Sequence, residues 1–216
     1  MIEKIKKTFT FKKADWIALL LIALTLIWQF GTYFISKYAL TDLHVVNSNI
    51  DNQIPLIKYF VVFYVIWYAM ILIVPFIISR RDRGLFHVYI ITYNLMFLAA
   101  LITFIAYPTI AEIPELKTTD FFTWLMNLIY EKDYPPINCI PSGHTMACTA
   151  MIFGTVLCKT MKPSTKSIII VINALTICST VFTKQHALID LVFAFVYTTV
   201  IFVVVWLIYY KVYKKS

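Results

Sequence analysis

Long apolar runs separated by short polar segments dominate the sequence. The runs at residues 56–79 and 85–107 are each long enough to cross a hydrocarbon core of ~30 Å, because a helix rises ~1.5 Å per residue. Four more runs share this apolar character, and the complete set is 14–35, 56–79, 85–107, 141–158, 167–182 and 187–210. The pattern predicts an all-α fold, a six-transmembrane-helix bundle that forms a single membrane-embedded domain over residues 1–216.

The longest polar segment, residues 108–140, contains one further helical stretch. Asp120 or Thr119 is suited to cap a short helix over residues 121–130. The apolar residues of this helix would share one face, and they are Phe121, Trp124, Leu125 and Leu128. We therefore predict a short interfacial helix on the bilayer surface. The alternative is a loop helix that packs on the bundle.

Composition also indicates a membrane protein. The 216 residues are 61% hydrophobic and 14% charged, whereas soluble domains have about 25% charged residues. The formal net charge is +8, but most of the cationic residues lie between the apolar runs, where membrane topology accounts for them. The expected partners are therefore membrane lipids, with no nucleic acid. The oligomeric state stays open.

The distribution of lysine and arginine predicts the orientation. With six helices both termini lie on one side, and the segments on that side contain 14 of the 19 Lys and Arg residues, which leaves 5 on the other side. The richer side is expected to be cytoplasmic. The polar segment before residue 141 and the junction near residue 186 would then lie on the extracytoplasmic side of the cell membrane.

A motif at residues 138–144, Asn-Cys-Ile-Pro-Ser-Gly-His, joins the long polar segment to the fourth apolar run. Pro141 suits the first position of a helix, and the free amides of a first turn favour an anion such as phosphate. Gly143 permits close approach of a ligand, Ser142 adds a donor, and His144 can exchange a proton near neutral pH. By itself the motif is equally compatible with a histidine at a membrane interface after a turn.

A second motif, residues 179–190, favours the functional interpretation. His186 and Asp190 are four residues apart, so they would share one face of a helix. A carboxylate in that position fixes the tautomer of an imidazole and stabilises its protonated form. Lys184 adds a fixed positive charge nearby. Together with the first motif, these residues indicate phosphoryl transfer.

The two motifs resemble signatures of the type 2 phosphatidic acid phosphatase superfamily. The segment 141–144 matches the second signature, and the third signature has the spacing of Ser179, His186 and Asp190. The patterns Asn-Cys-x-Pro-Ser-x-His and Ser-Thr-x-x-Thr-Lys-Gln-His are most similar to the branch that includes inositol phosphorylceramide and sphingomyelin synthases. The resemblance covers about residues 107–195.

The resemblance implies a metal-independent phosphatase without a cofactor, acting on a lipid phosphate or lipid pyrophosphate. His186 would be the nucleophile that becomes phosphorylated, Asp190 would orient it, and His144 would protonate the leaving oxygen. Phosphoryl oxygens would be held by four further residues, which are Ser142, Gly143, Lys184 and Ser179.

The chain differs from the superfamily at two cationic positions. The third signature usually has an arginine where this chain has Thr180, and the arginine of the first signature corresponds to Ile113. Lys184 is the first possible replacement, and the others are Lys58, Lys117 and Lys132. Three interpretations therefore stay open: a lipid phosphatase, a phosphotransferase that moves a phospho-head group onto a lipid alcohol, and a catalytically impaired membrane protein that binds lipid phosphate or a partner.

Overall fold

The computed structural model describes residues 11–37 and 42–213. The lysines at positions 4, 6, 7, 214 and 215, which contribute to the predicted orientation, lie outside the described residues. Helices account for most of the described chain, in the order α1 (Lys13–Lys37), α2 (Asn49–Gln53), α3 (Val61–Arg81), α4 (Arg83–Ala106), α5 (Phe121–Asp133), α6 (Gly143–Leu157), α7 (Pro163–Phe182) and α8 (Leu188–Tyr213). Two short parallel strands, β1 (His44–Val45) and β2 (Thr109–Ile110), join the loops at one end of the bundle. The prediction of a mainly helical fold is confirmed.

Five of the described helices are long and apolar enough to cross a membrane, and they are α1, α3, α4, α7 and α8. The remaining predicted span is α6, which has 15 residues and measures only ~22 Å at ~1.5 Å per residue. The apolar run begins at Pro141, but the helix begins at Gly143, because the Ser142 hydroxyl accepts the Thr145 amide and caps the helix there. Six membrane spans therefore remain a prediction.

Helix α6 occupies the centre of the bundle. All of residues 145–151 are buried, and α3, α4, α7 and α8 pack around the helix. Small residues permit this close packing: a methyl group added at Gly154 would lie 2.7 Å from Ile78 Cδ1. Because α6 is short and central, its N-terminal residues Ser142 and Thr145 are buried inside the bundle.

Helix α5 lies beside the start of α3. Asp120, one of the two predicted capping residues, begins it by accepting two amides of the first turn at 2.9 and 3.1 Å. The buried side of α5 packs through Met126 and Tyr130 against Val61. Its exposed side presents Phe121, Trp124 and Leu128. The helix forms where it is predicted, and it extends to Asp133; its position on a bilayer surface is still a prediction.

Candidate active site

The first motif leads into α6 and is joined there to the second motif. The Ser142 hydroxyl accepts the Thr145 amide at 3.3 Å, and the Ser142 amide donates to the Asp190 carbonyl at 3.2 Å. The preceding loop is held by Thr109, whose hydroxyl accepts the amides of residues 139 and 140 at 2.9 and 3.2 Å. The hydrogen bond between Ser142 and Asp190 therefore joins the two motifs directly.

The structure brings His186 and Asp190 together as a hydrogen-bonded pair. His186 lies in the turn between α7 and α8, and its Nδ1 is 3.0 Å from Asp190 Oδ2, which also accepts the Ala187 amide at 2.9 Å. Asp190 is fully buried. Because a carboxylate can only accept a hydrogen bond, Nδ1 of His186 is the protonated nitrogen. Nε2 then carries the free lone pair of the ring, which is available to react.

His144 lies close to this pair, in the first turn of α6. The ring centroids of His144 and His186 are 6.1 Å apart. The His144 ring is also flanked by Tyr64 and Trp67, at centroid distances of 4.3 and 4.1 Å. Its Nε2 is buried and has no hydrogen-bond partner among the described residues. A buried unsatisfied polar atom costs about 1–3 kcal/mol, so a ligand that bonds to this nitrogen would bind favourably.

Both histidines line a cavity of about 370 Å³. Its polar lining consists of Gln29, Thr32, Lys132, Asp133, Asn138, His144, Gln185 and His186, and its aromatic lining includes Phe30, Phe34, Trp67, Tyr68, Phe97 and Phe104. Phe30, Phe34 and Tyr68 are also exposed on the outside of the bundle. Across residues 11–37 and 42–213, no three His, Cys, Asp or Glu side chains lie close enough together to hold a metal ion. The lining suits a ligand with a charged head and an apolar body.

Of the four predicted phosphate ligands, all of which the structure describes, Gly143 lines the cavity. Ser142 is fully buried, is not part of the cavity wall, and uses its hydroxyl oxygen to cap α6. Ser179 is fully buried and donates to the Thr176 carbonyl at 2.6 Å. This bond within α7 satisfies the hydroxyl, and Ser179 is not part of the cavity wall.

Lys184 is also outside the cavity lining. Its ammonium group donates to the carbonyls of Asp51 and Ile54 at 2.7 and 2.6 Å. The residue adopts a left-handed backbone conformation with φ 57°. The ammonium group that is predicted to bind phosphate therefore forms hydrogen bonds with the segment between α1 and α3.

The two positions that correspond to superfamily arginines are packed into the fold. Ile113 packs against the apolar cluster that joins the start of α3 to α5. Thr180 is fully buried, and its hydroxyl donates to the Ile177 carbonyl at 2.8 Å. Neither position is part of the cavity wall, and the surroundings of both suit an uncharged residue.

The three alternative cations have different positions. Lys58 forms an ion pair with Asp120, and Lys117 is exposed and does not line the cavity. Lys132 lines the cavity and has no ion-pair partner within the described chain. The neighbouring Asp133 accepts a hydrogen bond from a tyrosine hydroxyl at 3.3 Å. Among these three lysines, Lys132 is the one that lines the cavity.

Two further polar lining residues had no role predicted from the sequence. Asn138, with φ 61°, donates to Ser36 Oγ at 2.7 Å, and its Oδ1 is buried without a partner in the described chain. Gln185 has a buried Nε2 that likewise lacks a described partner. The signal for both was their position in the motifs, since Asn138 begins the first motif and Gln185 precedes His186.

A tyrosine supports the turn that contains His186. The Tyr130 hydroxyl on α5 donates to the Thr183 carbonyl at 2.6 Å. Burial raises the pKa of Tyr130 above its ordinary value, so the hydroxyl stays protonated and remains a donor. Helix α5 is thereby linked to the second motif.

The family model of the PAP2 superfamily matches residues 121–214, somewhat less than half of the chain. No curated protein matches the chain, and neither does any solved structure. The matched segment includes Lys132, His144, His186 and Asp190. The match supports the assignment of the chain to the type 2 phosphatidic acid phosphatase superfamily, and with it phosphatase or phosphotransferase chemistry on lipid phosphates.

Proposed function

We propose that the protein is a membrane phosphatase that hydrolyses a lipid phosphate or lipid pyrophosphate through a phosphohistidine intermediate. One observation supports this most strongly: His186, paired with Asp190 at 3.0 Å, lines the same cavity as His144, with the two imidazole rings 6.1 Å apart. A nucleophile paired with an orienting carboxylate, next to a second group able to transfer protons, is the arrangement that covalent phosphoryl transfer requires.

The first half-reaction forms a bond between phosphorus and a histidine nitrogen. Nε2 of His186 attacks phosphorus with its lone pair, and the bond between phosphorus and the lipid oxygen breaks. His144 gives its proton to that oxygen, which leaves as a lipid alcohol from a lipid phosphate or as a lipid monophosphate from a lipid pyrophosphate. Asp190 stabilises the positive charge that develops on the His186 ring.

The second half-reaction restores the enzyme. Water gives a proton to His144 while its oxygen forms a new bond to phosphorus. The bond between phosphorus and His186 breaks, and inorganic phosphate is released. Both histidines regain their initial protonation states, so no further reactant is needed.

Phosphate oxygens are bound at the N-terminus of α6 and by Lys132. The first amides of a helix have no intrahelical partner and favour an anion, and Gly143 lines the cavity at this point. Lys132 supplies the charge that the superfamily obtains from arginine. Charge-assisted hydrogen bonds contribute roughly 1.5–3 kcal/mol each. The aromatic lining accommodates the apolar body of the lipid.

A phosphotransferase is the alternative, as in the synthase-like branch that the motifs resemble. The phosphohistidine would then transfer its phospho-head group to a lipid alcohol instead of to water. The aromatic lining is the observation that favours it, because an apolar acceptor could bind there. Purified protein given a panel of lipid phosphates, with and without added diacylglycerol or ceramide, distinguishes the two activities. A phosphorylated acceptor lipid would indicate the transferase, and absence of both products would favour a lipid-binding protein without catalysis.

The roles of the two histidines are tested by substitution. His186→Ala should be inactive on every substrate and should lack the acid-labile phosphoryl adduct that wild type forms. His144→Ala should retain activity on p-nitrophenyl phosphate, since general acid catalysis contributes about 10²–10⁴-fold when the leaving group needs a proton. His87→Ala, an exposed histidine that does not line the cavity, is the matched control. Turnover by wild type without an adduct would exclude the covalent mechanism.

The proposal places the cavity on the extracytoplasmic side, both termini in the cytoplasm, and α5 on the membrane surface. It is supported by the unequal distribution of lysine and arginine. In a background without the native cysteines, Lys117→Cys should react with an impermeant thiol reagent on intact cells, and Arg83→Cys should not. Both positions are exposed. The reverse labelling pattern would place the cavity on the cytoplasmic side.

A further inference from the structure

The segment between α1 and α3 is fastened to the turn that contains His186. Lys184 Nζ donates to the carbonyls of Asp51 and Ile54 at 2.7 and 2.6 Å. In the reverse direction, the amide of Leu188 donates to Asp51 Oδ1 at 2.8 Å. These three hydrogen bonds, which we call the 51–54 clamp, attach the turn two residues before His186 and two residues after it.

Asp51 is a well-held anchor for this clamp. The Ser48 hydroxyl accepts the Asp51 amide, and Asp51 Oδ2 accepts the Ser48 amide at 2.8 Å, so the two residues form a capping box at the start of α2. The two carboxylate oxygens thus serve different helices, α2 and α8. Burial alone would raise the pKa of Asp51, but its hydrogen bonds and the charge of Lys184 lower the pKa below its ordinary value. The carboxylate therefore stays ionised and able to accept.

The turn itself depends on an unfavourable backbone conformation. Lys184 has φ 57°, a left-handed backbone conformation that residues other than glycine rarely adopt. The next two amides, those of Gln185 and His186, both donate to the Thr180 carbonyl, at 2.9 and 3.0 Å. The direction of the His186 side chain follows from this turn. The 51–54 clamp supports the conformation of Lys184 through contacts with a separate segment of the chain.

We propose that Lys184 and Asp51 are positioning residues for His186, which hold the turn so that Nε2 meets phosphorus in line with the leaving oxygen. This inference rests on the proposed function. It gives Lys184 a role different from the phosphate contact that the sequence resemblance implies, and it leaves phosphate contact to Lys132. A misplacement of about 1 Å costs roughly 100-fold in rate. Loss of the clamp should therefore slow the chemistry without weakening phosphate binding.

The kinetic test compares Lys184→Met with Lys132→Met, two variants that each remove one ammonium group and keep a long side chain. The measurements are the single-turnover rate of phosphoenzyme formation and the inhibition constant of inorganic phosphate. Lys184→Met should slow phosphoenzyme formation by roughly 10- to 100-fold and leave the phosphate inhibition constant within about twofold. Lys132→Met should raise that constant by roughly tenfold or more, as expected for loss of a charge-assisted contact. A raised phosphate constant in Lys184→Met would overturn the inference and restore direct contact.

Two further variants keep the test decisive if Lys184→Met folds poorly. Lys184→Arg retains donors for the two carbonyls and should recover most of the phosphoenzyme rate. Asp51→Ala frees the Leu188 amide and breaks the capping box of α2, but it removes no cationic group, and it should reproduce the kinetic pattern expected of Lys184→Met. Full phosphoenzyme rates in Asp51→Ala would overturn the positioning role.

Hydrogen–deuterium exchange separates failure of the clamp from failure of the proposed function. The amides of residues 185–188 should exchange faster in Lys184→Met and Asp51→Ala than in wild type, whether or not the protein is active. Unchanged exchange would show that the clamp does not hold the turn. Faster exchange in a protein without phosphatase activity would retain the clamp and reject the proposed function.

Discussion

Replacement of Asp190 by asparagine should separate the charge of this residue from its geometry. Asp190 Oδ2 accepts two hydrogen bonds, from His186 Nδ1 at 3.0 Å and from the Ala187 amide at 2.9 Å. An asparagine must direct its oxygen to the same place, because the Ala187 amide requires an acceptor there. His186 would keep its tautomer and direction, and the side chain at position 190 would lose only its negative charge.

The size of the effect follows from the hydrogen bond that changes. A hydrogen bond to a charged group contributes about 1.5–3 kcal/mol, compared with about 0.5–1.5 kcal/mol for a neutral pair. The full burial of Asp190 favours the upper part of this range, because solvent does not screen the pair. Since the His186 ring becomes positive only as the bond to phosphorus forms, the loss should appear in kcat. The difference between the two kinds of bond is then about 1.5–2.5 kcal/mol, so we expect Asp190→Asn to lower kcat by roughly 10- to 70-fold with little change in KM.

The assay is phosphate release from the preferred lipid phosphate in detergent micelles, with thermal unfolding measured on the same samples. Asp190→Ala, which removes both hydrogen bonds, should be less active than Asp190→Asn. A decrease in kcat of less than threefold for a folded Asp190→Asn would refute charge stabilisation by Asp190. Loss of activity equal to that of His186→Ala would show that asparagine also disturbs the direction of the ring.

Three other substitutions test the surroundings of the site. Thr180→Arg, which restores the superfamily residue, should lower the thermal unfolding temperature and abolish activity, because Thr180 is fully buried and overpacking alone costs about 1–3 kcal/mol; an active and stable variant would contradict this. Gly143→Ala should fold normally, since the new methyl group would lie 3.5 Å from Phe97, and a raised KM for lipid phosphate would locate the ligand at this backbone. The ion pair with Lys58, together with capping hydrogen bonds, lowers the pKa of Asp120 from 3.8 to about 2, so the stabilisation present above pH 3.8 should disappear as pH falls toward 2. Circular dichroism during acid titration should show a weaker pH dependence in Asp120→Asn over that interval.

Local interactions explain what the sequence predicts well. The helices follow from apolar runs of sufficient length, and Asp120 caps α5 through contacts with residues two and three positions away. The pairing of His186 with Asp190 is local, since four residues separate them. The predicted shared helical face is wrong, however, because His186 lies in the turn before α8, which begins at Leu188. The N-terminus of α6 was predicted two residues early, because the choice between Pro141 and Gly143 depends on where one hydroxyl caps the helix.

Contacts between distant segments explain what the sequence does not predict. The sequence offers Lys184 as the charge nearest to the second motif, but its partners are carbonyls 130 and 133 residues earlier. Lys132 has no distinguishing neighbour in the sequence, and its place in the cavity wall follows from the packing of α5 against the start of α3. In the sequence, Ile113 and Thr180 stand where the superfamily signatures have arginines. In the fold, Ile113 packs against an apolar cluster and the Thr180 hydroxyl is hydrogen-bonded, so both positions suit an uncharged residue.

The cavity wall is divided between two parts of the gene. Of the described residues that line it, half lie within the matched segment 121–214, including both histidines and Lys132, and half come from α1, α3 and α4, including Phe34, Trp67 and Phe97. Under the proposed function, mutations in the first 120 codons can remodel the surface that meets the lipid body while the reacting groups stay unchanged. Substrate preference can then change independently of the chemistry in proteins that share this cavity. A chimera that exchanges only α1, α3 and α4 should transfer lipid preference between two such enzymes.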